Sequence, residues 1–483
     1  MKHHYCRLHP YKAITIGGRQ NMSWKMGKII HQTSNFFVVM LLVLITQHGS
    51  FDKVMGAQEP LHVHAITDAV KNRANATRAS LEAARQSDSF VDAVGVDTHL
   101  SYDNTPYYRE WPKVSALLRS SGIRHIRDGY HDWEPSSAFV KEHRELALAG
   151  IHTTYIIPND PKTTSDDIVR FSHLVKDLEA LEAPNECDAG QNCGGGGKRG
   201  IENAVNFQPL LHRTGDLLDV PVLGPSFTSQ EAYAGVGKLS QMMTMNNLHV
   251  YFGGRNPGNQ GWGAGDPEGH NYGSLDWWID QARLDGDHLP VTITETGYLM
   301  PEKPTPYTLP RPLGGAYIMR TLLLAFNHHV TRTFLYELLD EVSSPDYGLL
   351  TADLQDKPAF TALRSLIKLL SDPGPPFAPD ALPYELRGGD KNLGHTLLQK
   401  RDGTFFLIVW NEESQYDPAK CVLTVLQPKK ITLQLGPGFV VTSISTFPDT
   451  GVMTTTATAV SGATTSLSID GNPTIIKISS HVP

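Results

Sequence analysis

The sequence predicts an α/β fold: a (β/α)8 TIM barrel with an additional C-terminal antiparallel β-sandwich. Three observations carry the prediction. From about residue 93, short β-rich apolar runs alternate with helical stretches until eight strands have been passed, over about 250 residues, the size of such a barrel. Pro373-Gly-Pro-Pro376 then breaks the alternation, and the chain beyond it is rich in strands and turns. No Gly-rich phosphate-binding turn follows the first strand, which argues against a doubly wound open sheet.

The barrel elements follow in order. Val94 to His99 is the first strand, with an amphipathic helix over Trp111 to Ser120 behind it. Gly122 to Asp128 is the second strand, and a helix over Ser136 to Ala149 follows. His152 to Ile157 is the third, with a helix over Asp166 to Asp177. Leu178 to Leu181, running into the turn Pro184-Asn-Glu186, is the fourth. Val220 to Gly224, Leu248 to Phe252, Val291 to Glu295 and Thr333 to Glu337 complete the eight. Helices are expected at Gln230 to Met243, Leu275 to Leu284 and Gly315 to His328, and Pro358 to Leu370 closes the barrel. The barrel domain is therefore set at 93–372 and the sandwich at 375–483. Thr396 to Trp410 reads as two strands about an Asp402-Gly403 turn; Val422 to Leu426, Lys430 to Leu435, Val440 to Phe447 and Thr474 to Ile478 continue the sandwich.

The N-terminal region differs from the rest. Lys2, Arg7, Lys12, Arg19, Lys25 and Lys28 precede the apolar run Phe36 to Thr46 with no acidic residue among them. That run falls short of the ~20 residues of a membrane span and suits a signal-peptide core. Residues 1–57 are thus read as a leader, the alternative being an uncleaved anchor, and the mature chain as secreted or periplasmic with no stable membrane insertion. Residues 58–92 form a lead-in that is helix-prone at Ala65 to Val70 and Ala79 to Arg85 and is expected to pack outside the barrel. Asn75-Ala-Thr77 is a glycosylation sequon, meaningful only in a eukaryotic host.

A net charge of −8 speaks against nucleic acid as the main partner, and four cysteines are too few for a disulfide scaffold. Cys187 and Cys193, close together in one loop of an exported chain, are expected to be bonded; further thiol or imidazole ligands for a metal are not evident beside them. Cys6 falls in the leader, and Cys421 is expected to be a buried thiol.

Barrels of this kind carry their chemistry at the C-terminal strand ends. Those ends offer Asp97 and His99, Arg127 and Asp128, Asn185 and Glu186, His249 and Tyr251, Glu295, and Tyr336 and Glu337. Glu186 and Glu295 end two strands of one barrel, and one is preceded by Asn185. Such a pair suits cleavage of a glycosidic bond, one carboxyl donating a proton to the leaving oxygen and the other attacking or stabilising the anomeric carbon.

On these residues, the stretch from about 93 to 370 resembles the clan A retaining glycoside hydrolases, the superfamily of cellulase-like and xylosidase-like barrels. The resemblance implies Glu186 as acid/base and Glu295 as nucleophile. His249-Val-Tyr251 is similar to the clan's His-x-Tyr, whose Tyr contacts the nucleophile. The strand-eight aromatic, usually Trp there, is Tyr336 here. Asn185 would bind the sugar 2-hydroxyl, and Arg127 would help keep Glu295 ionised. Asp97, His99, Glu337 and the aromatic residues Trp262, Tyr272, Trp277 and Trp278 are the further candidates for sugar contact. The implied partner is an oligo- or polysaccharide, with no cofactor and no metal. Two alternatives stand beside this: a non-catalytic carbohydrate-binding barrel, and a different hydrolase such as a metal-dependent one, for which strand one would be expected to carry His-x-His rather than Asp97-Thr-His99.

Overall fold

A computed structural model describes residues 80–131, 133–190, 192–258, 272–460 and 464–480; the leader, the Asn75 sequon and Trp262 lie outside the described residues. Two short strands, β1 (Ser80–Ala83) and β2 (Arg85–Gln86), come first, followed by helix α1 (Ser87–Asp92). Eight strands then form one parallel sheet: β3 (Val94–Asp97), β4 (His125–Gly129), β5 (His152–Ile156), β6 (Leu178–Glu182), β7 (Val222–Leu223), β8 (Asn246–Tyr251), β9 (Val291–Gly297) and β10 (Thr333–Leu335). Their order is β7-β6-β5-β4-β3-β10-β9-β8. A parallel bridge between Leu223 and Met245 joins the two ends, with Gly224 N donating to Met245 O at 3.0 Å, so the sheet closes into the expected barrel.

The helices outside it are α2 (Pro106–Arg109), α3 (Trp111–Ser121), α4 (Ala138–Leu148), α5 (Ser165–Val175), α6 (Gly197–Leu218), α7 (Gln230–Gly235), α8 (Leu275–Gly286), α9 (Gly314–Asn327) and α10 (Pro358–Leu370). Local chemistry explains several of their ends. Thr164 and Asp167 form a reciprocal capping box at the start of α5. Gly122 ends α3 at φ 79°, a left-handed position that favours glycine. Two expectations need correction. Helix α6, 22 residues long, lies in a stretch where no helix was expected, because its start is hidden in the glycine run before it and Pro209 sits inside it. Helix α7 stops at Gly235, with Gly237 at φ 85° beyond it, so it does not continue to Met243.

The C-terminal strands are β11 (Ala381–Arg387), β12 (Leu393–Gln399), β13 (Phe405–Asn411), β14 (Tyr416–Asp417), β15 (Val422–Leu423), β16 (Lys429–Leu435), β17 (Phe439–Thr446), β18 (Thr454–Val460), β19 (Thr464–Ile469) and β20 (Thr474–Ser480). They form two sheets, β1-β11-β16-β19 and β18-β17-β20-β13-β12-β2, with β14-β15 a separate hairpin. Residues 80–83 are therefore a strand antiparallel to β11, and the helix expected over Ala79 to Arg85 is absent. Its helix-forming residues lose to pairing with an open sheet edge, a tertiary gain that outweighs local propensity. Cys421 is half-buried in the loop before β15, not buried as expected. No helix among the described residues is long and apolar enough to cross a membrane.

Strand β13 shows how barrel and sandwich share a wall. Phe405, Leu407 and Val409 face the sandwich core with Leu382, Leu433 and Ile476. Phe406, Ile408 and Trp410, one residue out of phase, join the barrel's own apolar cluster. A two-residue period with both faces buried is why this strand reads as an unbroken apolar run.

Candidate active site

Alternation decides which strand side chains enter the barrel mouth. On β8, Asn247, His249 and Tyr251 are two residues apart, and each contacts a carboxylate inside: Glu182, Glu186 and Glu295 respectively. On β9, Thr294 and Glu295 are consecutive yet both reach inward. Thr294 Oγ1 lies 3.1 Å from Glu182 Oε1, and Glu295 Oε1 accepts from Arg127 Nη1 at 2.7 Å. A bulge permits this. Ile293 pairs with Leu248 and Thr333, while Thr296 pairs with Val250 and Leu335, so β9 carries an extra residue relative to both neighbours.

Arg127, in the middle of β4 and 2 % exposed, ties the floor together. Its Nε and Nη2 donate to Glu182 at 2.6 and 2.9 Å, and Nη2 also reaches Asn185 Oδ1 at 2.8 Å. Burial alone would raise the Glu182 carboxyl, but the Arg127 charge and hydrogen bonds, with the His249 ring 3.8 Å away, bring it down to about 2. Glu295 is treated similarly: burial opposes its ionisation, and the charges of His249 and Arg127 with the Tyr251 hydroxyl, 2.8 Å from Oε2, lower it below the usual carboxylate value. His249 answers these anions. Burial would lower it, yet the Glu295 charge, the Glu182 carboxylate 3.8 Å from Nε2 and the hydrogen bond to Glu186 raise it to about 9, which favours the cationic ring at neutral pH. Its Nδ1 lies 2.9 Å from Glu186 Oε1 and its Nε2 3.0 Å from Thr294 Oγ1. Asp97 is 1 % exposed, 3.7 Å from Arg127, with neither oxygen hydrogen-bonded among the described residues; burial, only partly offset by Arg127, pushes it well above the usual range. Asp128 faces elsewhere and fixes the turn after β3 by accepting from Thr98 Oγ1 at 2.7 Å and Leu100 N at 3.0 Å.

Glu186 sits beyond β6 with φ 43°, a left-handed conformation that a non-glycine residue adopts only when its surroundings enforce it. Those surroundings are visible. Cys187 and Cys193 are disulfide-bonded, as expected, with Cα atoms 5.2 Å apart. Asp188 accepts from Thr228 N at 3.0 Å and Ser229 Oγ at 2.9 Å, tying this loop to the one after β7. A carboxylate oxygen of Glu186, one of Glu295 and a ring nitrogen of His249 all lie within 4.8 Å of one another.

The remaining candidates divide. Tyr336, half-buried, stands edge-on to Tyr251 at 6.3 Å and to Tyr347 at 5.6 Å, so three tyrosines enclose the Glu295 side. His99 lies 3.0 Å from Glu341 and 3.2 Å from Glu337 through Nδ1 and stacks on Tyr102 at 4.6 Å. Glu337 is buried beneath His99 and takes a hydrogen bond from Ser344 Oγ. On the Glu186 side a cavity of about 500 Å³ opens, lined in part by Ser229, Glu231, Tyr272 and Trp278. Trp277 is in the core, 3 % exposed. Glu182, Asn247, Thr294, Tyr347 and Glu341 were not anticipated. The signal for Glu182 was present, a carboxylate ending the strand just before the Pro184-Asn-Glu186 turn; Tyr347 and Glu341 lie on a loop whose sequence gives no sign of where it folds back.

No described protein family matches the chain, and no curated protein does. Among solved structures, it is similar to a 4-O-α-L-rhamnosyl-β-D-glucuronidase from Fusarium oxysporum, at 12 % identity over 82 % of this chain and 97 % of that one, with a TM-score of 0.50. It also aligns with an endo-β1,6-glucanase (11 % identity, 82 % and 92 % covered, TM-score 0.47) and a β-glucosidase from Exiguobacterium marinum (12 %, 58 % and 98 %, TM-score 0.39). At such identities the likeness concerns the fold: these structural neighbours are glycoside hydrolases.

Proposed function

We propose that this chain is a retaining glycoside hydrolase acting on a β-linked glycan by double displacement. The observation that carries the reading is that a carboxylate oxygen of Glu186 and one of Glu295 lie within 4.8 Å of each other in one cleft. An inverting pair needs ~6.5–9.5 Å to hold a water, whereas a covalent mechanism works at ~5–5.5 Å. Glu295, held ionised by Arg127, His249 and Tyr251, attacks the anomeric carbon. Glu186, oriented by the contact of His249 with its Oε1, delivers a proton to the leaving oxygen. Asn185 spends its carbonyl on Arg127 and so offers its amide N–H to the sugar 2-hydroxyl. Glu186 then takes the proton of the incoming water as the glycosyl-enzyme is hydrolysed. A metal centre is the competing use of Glu186, His249 and Glu295. Both Glu295 oxygens are already taken, Oε1 by Arg127 Nη1 at 2.7 Å and Oε2 by Tyr251 Oη at 2.8 Å, which favours the hydrolase use. The Cys187–Cys193 bridge supports work outside the reducing cytoplasm.

The test is to follow the product anomer by NMR in the first minutes of reaction on a panel of β-glycosides. Retained configuration is expected. Glu295→Gln should lose at least about 1,000-fold in kcat, and Glu186→Ala should spare substrates with good leaving groups and respond to added azide. An initially inverted product, or an unaffected Glu295→Gln, overturns the assignment.

A further inference from the structure

One place where the sandwich meets the barrel's loops is Glu412. This residue follows β13 and is 6 % exposed. Its Oε2 accepts from Arg320 Nε at 2.9 Å and Trp410 Nε1 at 2.7 Å. Its Oε1 accepts from Arg320 Nη2 at 2.8 Å, Asn256 Nδ2 at 3.0 Å and Gly258 N at 3.0 Å. Asn256 Nδ2 also donates to the Glu412 carbonyl at 2.7 Å. The Arg320 pair satisfies the charge; Asn256 and Gly258 belong to the segment that leaves β8 just after Tyr251, so Glu412 holds that segment from outside the barrel.

What the segment supports follows from the direction of the cleft. On the double-displacement reading, Glu186 protonates the leaving oxygen, so the leaving group lies on the side of Glu186 away from Glu295. The cavity of about 500 Å³ has Glu186, His249 and Tyr251 among its walls and not Glu295, and it extends from them to the loop after β7 and to α8. Its walls mix hydroxyls, Thr228 and Ser229, with a carboxylate, Glu231, and two aromatic rings, the 42 %-exposed Tyr272 and Trp278. Among the described residues, Trp278 Nε1 is buried without a hydrogen-bond partner. Rings that stack on C–H faces beside groups that bond hydroxyls are what a sugar requires, and the volume is within the range that takes a ligand of drug-like size. Helix α8, which carries Trp278, begins at Leu275, and Leu275 N donates to Pro257 O at 2.9 Å. Pro257 lies between the two residues that Glu412 holds.

We propose that the leaving-group end of the cleft is a sugar-binding subsite and that Glu412, from the sandwich, is its positioning residue, acting through the Asn256–Gly258 turn on Trp278. The proposal rests on the hydrolase reading above.

The test compares two leaving groups on one glycone. β-Glycosyl fluorides of glucose, galactose, xylose and glucuronic acid release a single atom and need no subsite. The matching β-linked disaccharides do. Asn256→Ala loosens the turn while keeping the Arg320–Glu412 pair; Glu412→Gln weakens both, and Trp278→Ala removes the wall. Each is expected to lower kcat/KM on the disaccharides about 10-fold or more, chiefly through KM, and Asn256→Ala and Glu412→Gln are expected to leave the fluorides within about threefold. Thermal melts identify any variant that does not fold; Asn256→Ala keeps the question open to test if Glu412→Gln is lost. Equal losses on both substrate types, or no loss on either, overturn the proposal while leaving the hydrolase reading intact. Failure of the unaltered protein on every fluoride and every disaccharide would count against the hydrolase reading, and this inference would fall with it.

Discussion

At the scale of single residues, the site is a buried charge balance, with Arg127 and His249 set against Glu182 and Glu295. Removing one member leaves its partner's charge uncompensated in a poorly solvated place. His249 makes this measurable. Its pKa is raised from the ordinary 6.5 to about 9, so the stability it contributes is fully present below about pH 6.5 and is lost as pH rises through about 9. The size is on the order of 3 kcal/mol and is shared with the lowered Glu295, not additional to it. Unfolding free energies measured from pH 6 to 10 should fall more steeply for the unaltered protein than for His249→Gln; parallel curves would show that His249 carries no such charge. The sign for Glu295 is opposite. Its depressed pKa places the acid limb of kcat/KM below the ordinary carboxylate range, and His249→Gln should move that limb upward.

Elements set these residues in place by departing from regular geometry. The β9 bulge turns Glu295 inward next to Thr294, and the loop after β6 holds Glu186 at a positive φ. The Cys187–Cys193 bridge closes that loop immediately after Glu186. A ring this short should contribute about 2 kcal/mol by restricting the unfolded chain. Mass spectrometry under native, non-reducing conditions should find both thiols protected. Reduction should lower the melting temperature and reduce kcat without abolishing it, because Asp188 still ties the loop to Thr228 and Ser229. Two freely alkylated thiols in the native protein would remove the idea.

For the whole molecule, barrel and sandwich are not separable pieces. Phe406, Ile408 and Trp410 pack into the barrel's cluster, and the sandwich is completed by β1 and β2, which precede the barrel in the chain. Arg85, within β2, lies over the Phe326 ring of α9 with its guanidinium carbon 3.3 Å from the ring centroid. A chain beginning at Ser87 should therefore melt several degrees lower while keeping nearly full kcat/KM, since every group around Glu186 and Glu295 remains. An unchanged melting temperature would show that the pairing of β1 and β2 contributes nothing.

Much of this was legible in sequence. The eight barrel strands could be counted because each is a short apolar run bounded by turn residues, a local signal. Glu186, Glu295, His249 and Tyr251 could be chosen because their positions at strand ends follow from that count. Arg127 and Asn185 followed for the same reason. The tertiary structure alone decided what depends on distant partners. Residues 80–83 became a strand because β11 offered an open edge, and Glu182 joined the site because Arg127 and Asn247 converge on it across the barrel. Tyr347, Glu341 and Glu412 gained their places through loops that return from far along the chain. Local periodicity records which face of an element is buried, but the groups that meet across a barrel are set by closure of the ring, which no short stretch of sequence contains.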